Sequence, residues 1–403
     1  MRPAAGKGTS FALLLPLLLA AQPVATDSYL PALPAIAADL GSASASLTVF
    51  VLAFGFAQLV CGPLADRFGR RPLLLWGLAS YSLAALGCTL AAEVPLLVAC
   101  RALQGMSMAA IFVCARAAVR DLYPAHEGPQ VMARGLTGLG VVALAAPLLG
   151  AFAVQHAGWR WVLGGMAVYG AVLWIVCWRG FAETRRASEP TSGEPTGGVR
   201  EVFASAGFRA WSSVAIATWA GLFCFLLLSP MVYISYLGLS PTLYGWIPAG
   251  GALVYILSTM LCRRLLRRHG PVRTVQWASM LSLAGPLLQA VGCLVWPGTL
   301  WPLLLGHAMY AVGHGIHQPC GQAGAVGDLP HLAGRAVSWS GFGMMLVAFA
   351  TGQLAASFVD PTFSNGAWPM VLPMLAAGLV LVTIAFGWLP RLASTHPSKE
   401  RTT

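Results

Sequence analysis

The chain has 403 residues, 57% of them apolar and only 9% charged, with a formal net charge of +11. Soluble domains carry roughly a quarter charged residues, so this composition excludes a protein whose whole surface faces water. The positive balance does not indicate nucleic acid, because once spans are assigned the cationic residues segregate to one side of a membrane.

Apolar residues recur in blocks of about 20, the length that crosses a hydrocarbon core about 30 Å thick. Backbone polar groups in lipid must be paired within the segment, so each block is predicted to be helical. Twelve blocks are predicted, at 11–37, 46–65, 72–92, 95–117, 131–153, 159–178, 211–238, 243–262, 273–295, 299–325, 333–358 and 367–389. With the N-terminus inside, Arg2, Lys7, the 67–71 cluster, Arg116, Arg120, Arg134, the 179–209 segment, Arg263 to Arg273, Arg335 and the tail share one side. Of 24 Lys and Arg, only Arg101 and Arg160 fall elsewhere. This positive-inside bias predicts a multi-pass membrane protein with both termini cytoplasmic. The cationic start, the apolar run from Phe11 and the small residues Ala20 and Ala21 resemble a signal peptide. The run continues well past Ala21, so the segment is expected to remain as the first span. The nine Cys are scattered singly, without metal or redox spacing, and read as packing residues.

In the first span, Asp27 is the only acidic residue predicted to lie inside a membrane segment. A carboxylate there costs a few kcal/mol or more, which argues for a task such as carrying a proton. Surrounded by hydrocarbon, a carboxyl holds its proton and releases it when water or a cation arrives. The alternative is an Asp near the outer interface that caps the turn before Tyr29-Leu30-Pro31. Between the second and third spans runs GPLADRFGRR, containing Gly62, Asp66, Arg67, Gly69, Arg70 and Arg71. The glycines suit a tight turn and close approach, and Asp66 suits an Arg or a helix N-terminus, so this run reads as a gate latch. Part of its positive charge also serves as plain cytoplasmic anchoring. Arg101 lies inside the fourth span as a permanent cation, and needs a carboxylate, a carbonyl or water unless it snorkels to the headgroups. The spacing of Gly135, Gly138 and Gly140 in the fifth span is only superficially that of a phosphate loop. No strand precedes them and no Lys follows, so they read as helix-packing residues and no nucleotide site is expected.

Residues 185–205 begin with a Pro-, Gly-, Ser- and Thr-rich stretch and are read as a cytoplasmic linker between six-span halves at 1–184 and 206–403. The halves echo each other about 200 residues apart. GPLADRFGRR corresponds to RRLLRRHGPVR at 263–273, and Arg120-Asp121-Leu122-Tyr123-Pro124 to Gly327-Asp328-Leu329-Pro330. Duplicated six-helix halves are the architecture of a rocking transporter. In the tenth span, His307, Tyr310, His314 and His317 are spaced 3, 4 and 3 apart and share one helical face. That face suits substrate binding, a proton relay, a metal or interhelical hydrogen bonds; a metal is least favoured because no acid or Cys completes the set. Thr218, Phe225, Ser229, Tyr233 and Tyr236 line the seventh span, and Tyr29, Gln58, Trp219 and Trp339 are candidates to join them. Such a wall suits amphipathic or aromatic substrates.

These motifs together resemble the major facilitator superfamily, and within it the Bcr/CflA-type drug:H⁺ antiporters. GPLADRFGRR resembles the family's loop signature, and Arg101-Ala102-Leu103-Gln104-Gly105 its R-x-x-Q-G fourth-helix motif. Gly138 through Pro147 and Gly150 resemble the antiporter motif of the fifth helix, with Ala146 where a Gly is usual. Thr26-Asp27-Ser28-Tyr29-Leu30-Pro31-Ala32 is close to the subgroup's first-helix signature, and Phe181-Ala182-Glu183-Thr184 closes the half as in family members. The resemblance implies an all-α membrane protein of twelve transmembrane helices in two pseudo-symmetric six-helix bundles. It also implies a proton-coupling role for Arg101 beside Asp27, and a central cavity lined by the tenth helix. Tyr29, Gln58, Gln104, Tyr233, His307, Tyr310, His314 and His317 are the expected substrate-cavity residues. The expected function is export of small drug-like molecules by proton antiport, with a native metabolite or siderophore as the alternative cargo. An enzyme with a histidine-bound metal is disfavoured. No cofactor, metal or nucleic acid is expected, and the chain is expected to act as a monomer in the bilayer.

Overall fold

A computed structural model describes residues 5–41, 43–124, 127–185, 198–359 and 364–395. Arg2, the C-terminal tail and most of the linker read at 185–205 lie outside the described residues. Among these residues the chain is almost entirely helical and contains no strand. Among the described residues, nine helical stretches are long and apolar enough to cross a membrane. One of them, α10 (Pro241–Val295), holds two predicted spans on either side of Gly270, whose φ of +72° breaks the helical path. Two more helices have the length to span, α11 (Leu300–Gly327) and α12 (Ala333–Ser357). Eleven of the twelve predicted spans thus lie on helices, and the first is interrupted.

The first span departs from expectation by being broken. Helix α1 (Ala5–Thr26) ends in a turn, followed by a 3-10 turn at Leu30–Ala32 and the short helix α2 (Leu33–Leu40). Pro31 lacks the N–H that would continue the α1 ladder across the turn, while Pro34 lies in the first turn of α2, where its missing N–H has no intrahelical partner to lose. The seventh span also changes character, since α9 (Ala206–Pro230) runs into π-helical turns at Met231–Tyr236. The tenth, by contrast, passes through Pro319 without interruption.

The chain divides into two compact units, one of Met1–Thr191 with Leu239–Ala252, the other of Ser192–Gly238 with Leu253–Thr403. In the first, α5 (Val94–Leu122) packs between α3 (Ser44–Phe68) and α4 (Arg70–Thr89), and α4 also packs on α7 (Trp159–Gly180). Helix α1 lies along α6 (Gly128–Ala157). Their approach is close because Gly135 and Gly138 sit against Leu15 and Pro16, and Gly150 sits on the Ser28 carbonyl. A methyl group at any of these three positions would collide with its neighbour. In the second unit, α9 is central, packing on α11, α12 and α13 (Trp368–Thr383). A short helix α8 (Val199–Ala204) precedes it, and π-helical turns at Ile384–Trp388 lead into α14 (Leu389–Thr395). All nine cysteines are free, but they are not all isolated: the Sγ atoms of Cys262 and Cys320 lie 3.7 Å apart.

Candidate functional site

Three constellations carry the polar chemistry, two in the first unit and one in the second. The first surrounds Arg101, which is fully buried on α5. Its Nη1 donates to Gln104 Oε1 at 2.6 Å and its Nη2 to the Ala25 carbonyl at 3.1 Å. That carbonyl belongs to the last turn of α1, where carbonyl oxygens have no partner within the helix and the helix dipole is negative. The guanidinium also lies over the rings of Tyr29 and Phe50, 4.2 and 4.5 Å from their centroids. Gly105 touches the Phe50 carbonyl and permits this closeness. Arg101 therefore does not snorkel: a carbonyl, an amide oxygen and two aromatic faces stabilise its charge. Gln104 is held in turn by its contact with Met166 Sδ at 3.8 Å, and Tyr29 Oη meets Ser46 Oγ at 2.7 Å.

Asp27 lies two residues beyond Ala25, in the turn that ends α1. It is half-buried, and its Oδ1 accepts from Thr26 Oγ1 at 2.7 Å. Among the described residues it has no cationic partner, and Arg101 reaches α1 through the Ala25 carbonyl instead. Nor does Asp27 cap the following turn, since no side chain caps the helix at Leu30–Ala32. Gln58 lies half-buried on α3. The Pro147 carbonyl faces Gly245 at the start of α10, where Thr242 Oγ1 also donates to Gln155 Oε1 at 2.7 Å.

The second constellation is the loop after α3. Gly69 has φ +99°, which only a residue without Cβ adopts freely, and it lets α4 start at a sharp angle. Arg70 donates to Asp66 Oδ1 at 2.8 Å, to Asp121 Oδ2 at 3.0 Å and to the Ala65 carbonyl at 2.6 Å. Glu183 completes the group. Its Oε1 accepts the Arg70 N–H at 2.9 Å and its Oε2 the Arg71 N–H at 3.1 Å, capping the N-terminus of α4. Arg71 returns the contact, donating to the Trp178 and Phe181 carbonyls at 2.8 and 2.7 Å at the end of α7. Partial burial pushes the Glu183 carboxyl up, but four backbone N–H groups, from residues 70, 71, 184 and 185, outweigh this and hold it below the usual carboxylate range. Arg67 is exposed, its carbonyl accepting from Arg185 at 3.0 Å. A side chain at Gly62 would meet nothing within 4 Å, so the close approach expected there belongs to Gly69 alone. Asp121 and Glu183 had been read only as parts of end-of-span motifs; their role in the latch depends on contacts between residues 51 and 113 positions apart.

The third constellation joins α9 and α11. His307 stacks on Phe225, with ring centroids 3.4 Å apart and planes 8° from parallel, and Tyr233 meets Phe225 edge-on at 6.3 Å. Tyr310 donates to the Thr218 carbonyl at 3.0 Å, an approach that Gly221 permits, and His314 Nδ1 lies 3.1 Å from Thr218 Oγ1. Trp219 and Tyr255 flank His314 at 5.9 and 5.6 Å. Tyr255 had no signal in the sequence, being one aromatic residue in an apolar span. His317 is fully buried, and neither ring nitrogen has a hydrogen-bond partner. Among the described residues no group of three or more His, Cys, Asp or Glu could hold a metal ion.

The helices are of membrane length and carry buried polar clusters, as a multi-pass membrane protein requires. Residues 17–352 match the family model described as Major Facilitator Superfamily, and the chain belongs to that family. It is a multi-pass transporter of small molecules, not an enzyme. It is 29% identical to multidrug resistance protein D of Escherichia coli (strain K12), over 95% of this chain and 96% of that protein. It is 27% identical to a chloramphenicol resistance protein of Pseudomonas aeruginosa, over 89% of this chain and 86% of that one. To a bicyclomycin resistance protein homolog of Haemophilus influenzae it is 26% identical, over 94% and 96% of the two chains. Among solved structures it resembles a bacterial homolog of the human lysosomal transporter Spinster, in an inward-facing and occupied conformation. The TM-score is 0.76 at 16% identity, covering 98% of each chain. A D-xylose-proton symporter matches with TM-score 0.70 at 14% identity, over 94% of this chain and 98% of that one. The relatives agree with the drug-resistance subgroup that the motifs suggested.

Proposed function

We propose that the protein is a proton-coupled exporter of the inner membrane that moves small drug-like molecules outward in exchange for protons. The observation that carries this reading is the setting of Asp27. Its carboxylate sits in the turn that interrupts the first span, bonded to one hydroxyl and facing no cationic partner among the described residues. An intramembrane acid free of an ion pair can take up and release a proton as its hydration changes, whereas a guanidinium cannot. Arg101, tied to the carbonyl two residues before Asp27, holds the end of α1 in place and links the position of that turn to α5. In the proposed cycle, cargo enters from the cytoplasm while Asp27 is protonated. Its binding favours proton loss, and the cargo leaves outside, where Asp27 is reprotonated. Differential binding to the two states supplies the coupling.

The names of the relatives support drug cargo, and the aromatic residues around His307 and His314 suit molecules bound through apolar area with few orienting groups. Tyr29, Gln58, Gln104, Tyr233, Tyr310 and His317 are proposed as further cavity residues. A second reading keeps the machinery and changes the cargo to an anionic or chelating metabolite. The unpartnered imidazole nitrogens of His307 and His317 favour it, because they are free to hydrogen-bond such a ligand and Asp27 is the one acid predicted inside a span to attract a cation. The loop held by Arg70, Asp121 and Glu183 is proposed as the cytoplasmic latch, with the duplicated halves at 1–184 and 206–403 and both termini cytoplasmic.

Efflux from inside-out vesicles under an imposed pH gradient tests the reading, comparing wild type with Asp27→Asn on cationic dyes and on siderophore-like anions. Cargo-coupled proton movement that disappears in the Asn variant is expected. Unchanged coupling in that variant would remove Asp27 from the mechanism.

A further inference from the structure

The turn at 263–273 carries Arg263, Arg264, Arg267, Arg268, His269 and Arg273, all exposed. Leu265, Leu266 and Val272, interspersed among them, pack on the core beneath, so the cations are held outward by the burial of their neighbours. In the first unit, the corresponding loop has the Arg70 guanidinium paired with Asp66 and Asp121, the Arg71 guanidinium on the Trp178 and Phe181 carbonyls, and Glu183 on the backbone N–H groups of both. The second unit has no such set. No Asp or Glu occurs between Glu201 and Asp328. Glu201 pairs with His331 at 2.9 Å, and the Asp328 carboxylate lies against Gly207 at the start of α9. Among the described residues none of the five arginines has an ion pair, and their one hydrogen bond runs from Arg267 Nε to the Arg263 carbonyl at 3.3 Å.

Directly beside this charge the surface becomes apolar. Met260 and Leu261 before it, and Trp277 and Met280 after it, are exposed. His269 meets Trp277 edge-on at 4.6 Å. An exposed Trp at the edge of a charged cluster marks the level where headgroups meet acyl chains. Positive-inside topology requires cations on this side, but does not require five arginines within eleven residues or the absence of every acid that could neutralise them.

We infer that this turn is a binding site for anionic phospholipid. The arginine forks hold the headgroup phosphodiester and the acyl chains lie along Met260, Leu261 and Trp277. Guanidinium groups match phosphate oxygens bidentately, and clusters of four to eight basic residues at a membrane helix end attract anionic lipid. The site is independent of the transported cargo.

The test uses the full chain in neutral detergent. Thermal unfolding is followed on addition of phosphatidylglycerol, of phosphatidylcholine, or of inorganic phosphate at equal phosphorus. Phosphatidylglycerol is expected to raise the unfolding midpoint of the wild type, with no shift from the other two. The shift should fall by at least half in the quadruple variant Arg263→Gln, Arg264→Gln, Arg267→Gln, Arg268→Gln, whose midpoint without lipid should stay unchanged. An equal phosphatidylglycerol shift in that variant, or an equal shift from inorganic phosphate, would overturn the inference. Should the glutamine variant not insert, the salt dependence of the wild type decides. Native mass spectrometry should show retained phosphatidylglycerol lost as salt is raised, and retention independent of salt would reject an electrostatic site.

Discussion

Glu183 caps a helix that begins 113 residues before it, accepting the N–H groups of Arg70 and Arg71 at 2.9 and 3.1 Å. A helix N-terminus has unpaired N–H groups and a partial positive charge, and a carboxylate from elsewhere in the fold answers both. Because Arg71 simultaneously caps the end of α7, the junction locks two helix ends with two side chains.

Removal of this carboxylate should destabilise the first unit. Glu183→Gln is expected to cost about 1 kcal/mol, the usual effect of losing a helix cap. The effect should depend on pH in a definite direction. The folded-state carboxyl lies below its ordinary value, so its contribution is present above the unfolded pKa of about 4.3 and is lost as pH falls through the lower folded value. Melting curves from pH 7 down to pH 3 should therefore show wild type and variant converging below about pH 4. A constant gap at all pH values would rule out the charged cap.

Gly69 has two reasons to be glycine and Gly158 only one. Both have positive φ, +99° and +94°, but a Cβ at Gly69 would also meet Glu183 Oε2 at 2.5 Å, whereas Gly158 faces open space. Gly69→Ala should thus cost about 1–3 kcal/mol and exceed Gly158→Ala. Denaturation of the two variants side by side checks the order.

Arg101→Lys should fail where charge alone would suffice. A lysine keeps the cation but cannot reach Gln104 and the Ala25 carbonyl in one fork while lying flat on Tyr29 and Phe50. Vesicle transport is expected to fall about tenfold or more, equivalent to about 1.4 kcal/mol, with the protein still present in the membrane. Transport at the wild-type rate would show that charge alone is needed.

His314 and His317 should respond oppositely to removal of their polar atoms. His314 shares a hydrogen bond with the buried Thr218 hydroxyl, so His314→Leu strands a partner and is expected to destabilise by about 1–3 kcal/mol. His317 buries two unpartnered nitrogens, so His317→Leu is expected to leave stability unchanged or raise it by about 1 kcal/mol. Thermal unfolding of both variants measures the contrast.

Much of this architecture was legible in the residue order, because a bilayer imposes its demands one segment at a time. A span needs its own apolar length and its own internal hydrogen bonds, so the long helices from α3 to α13 and the exceptional placement of Asp27 and Arg101 could be read from local sequence. Even the break after Asp27 has a local cause in Pro31, although the unbroken apolar run there predicts one continuous span. Partners across the fold were not legible in this way. That Arg101 rests on the Ala25 carbonyl, that Glu183 caps α4, and that His314 finds Thr218 while His317 finds no partner depend on which helix faces lie together. Helical spacing shows that residues share a face; only close packing, set here by glycines such as Gly105, Gly150 and Gly221, decides what that face touches.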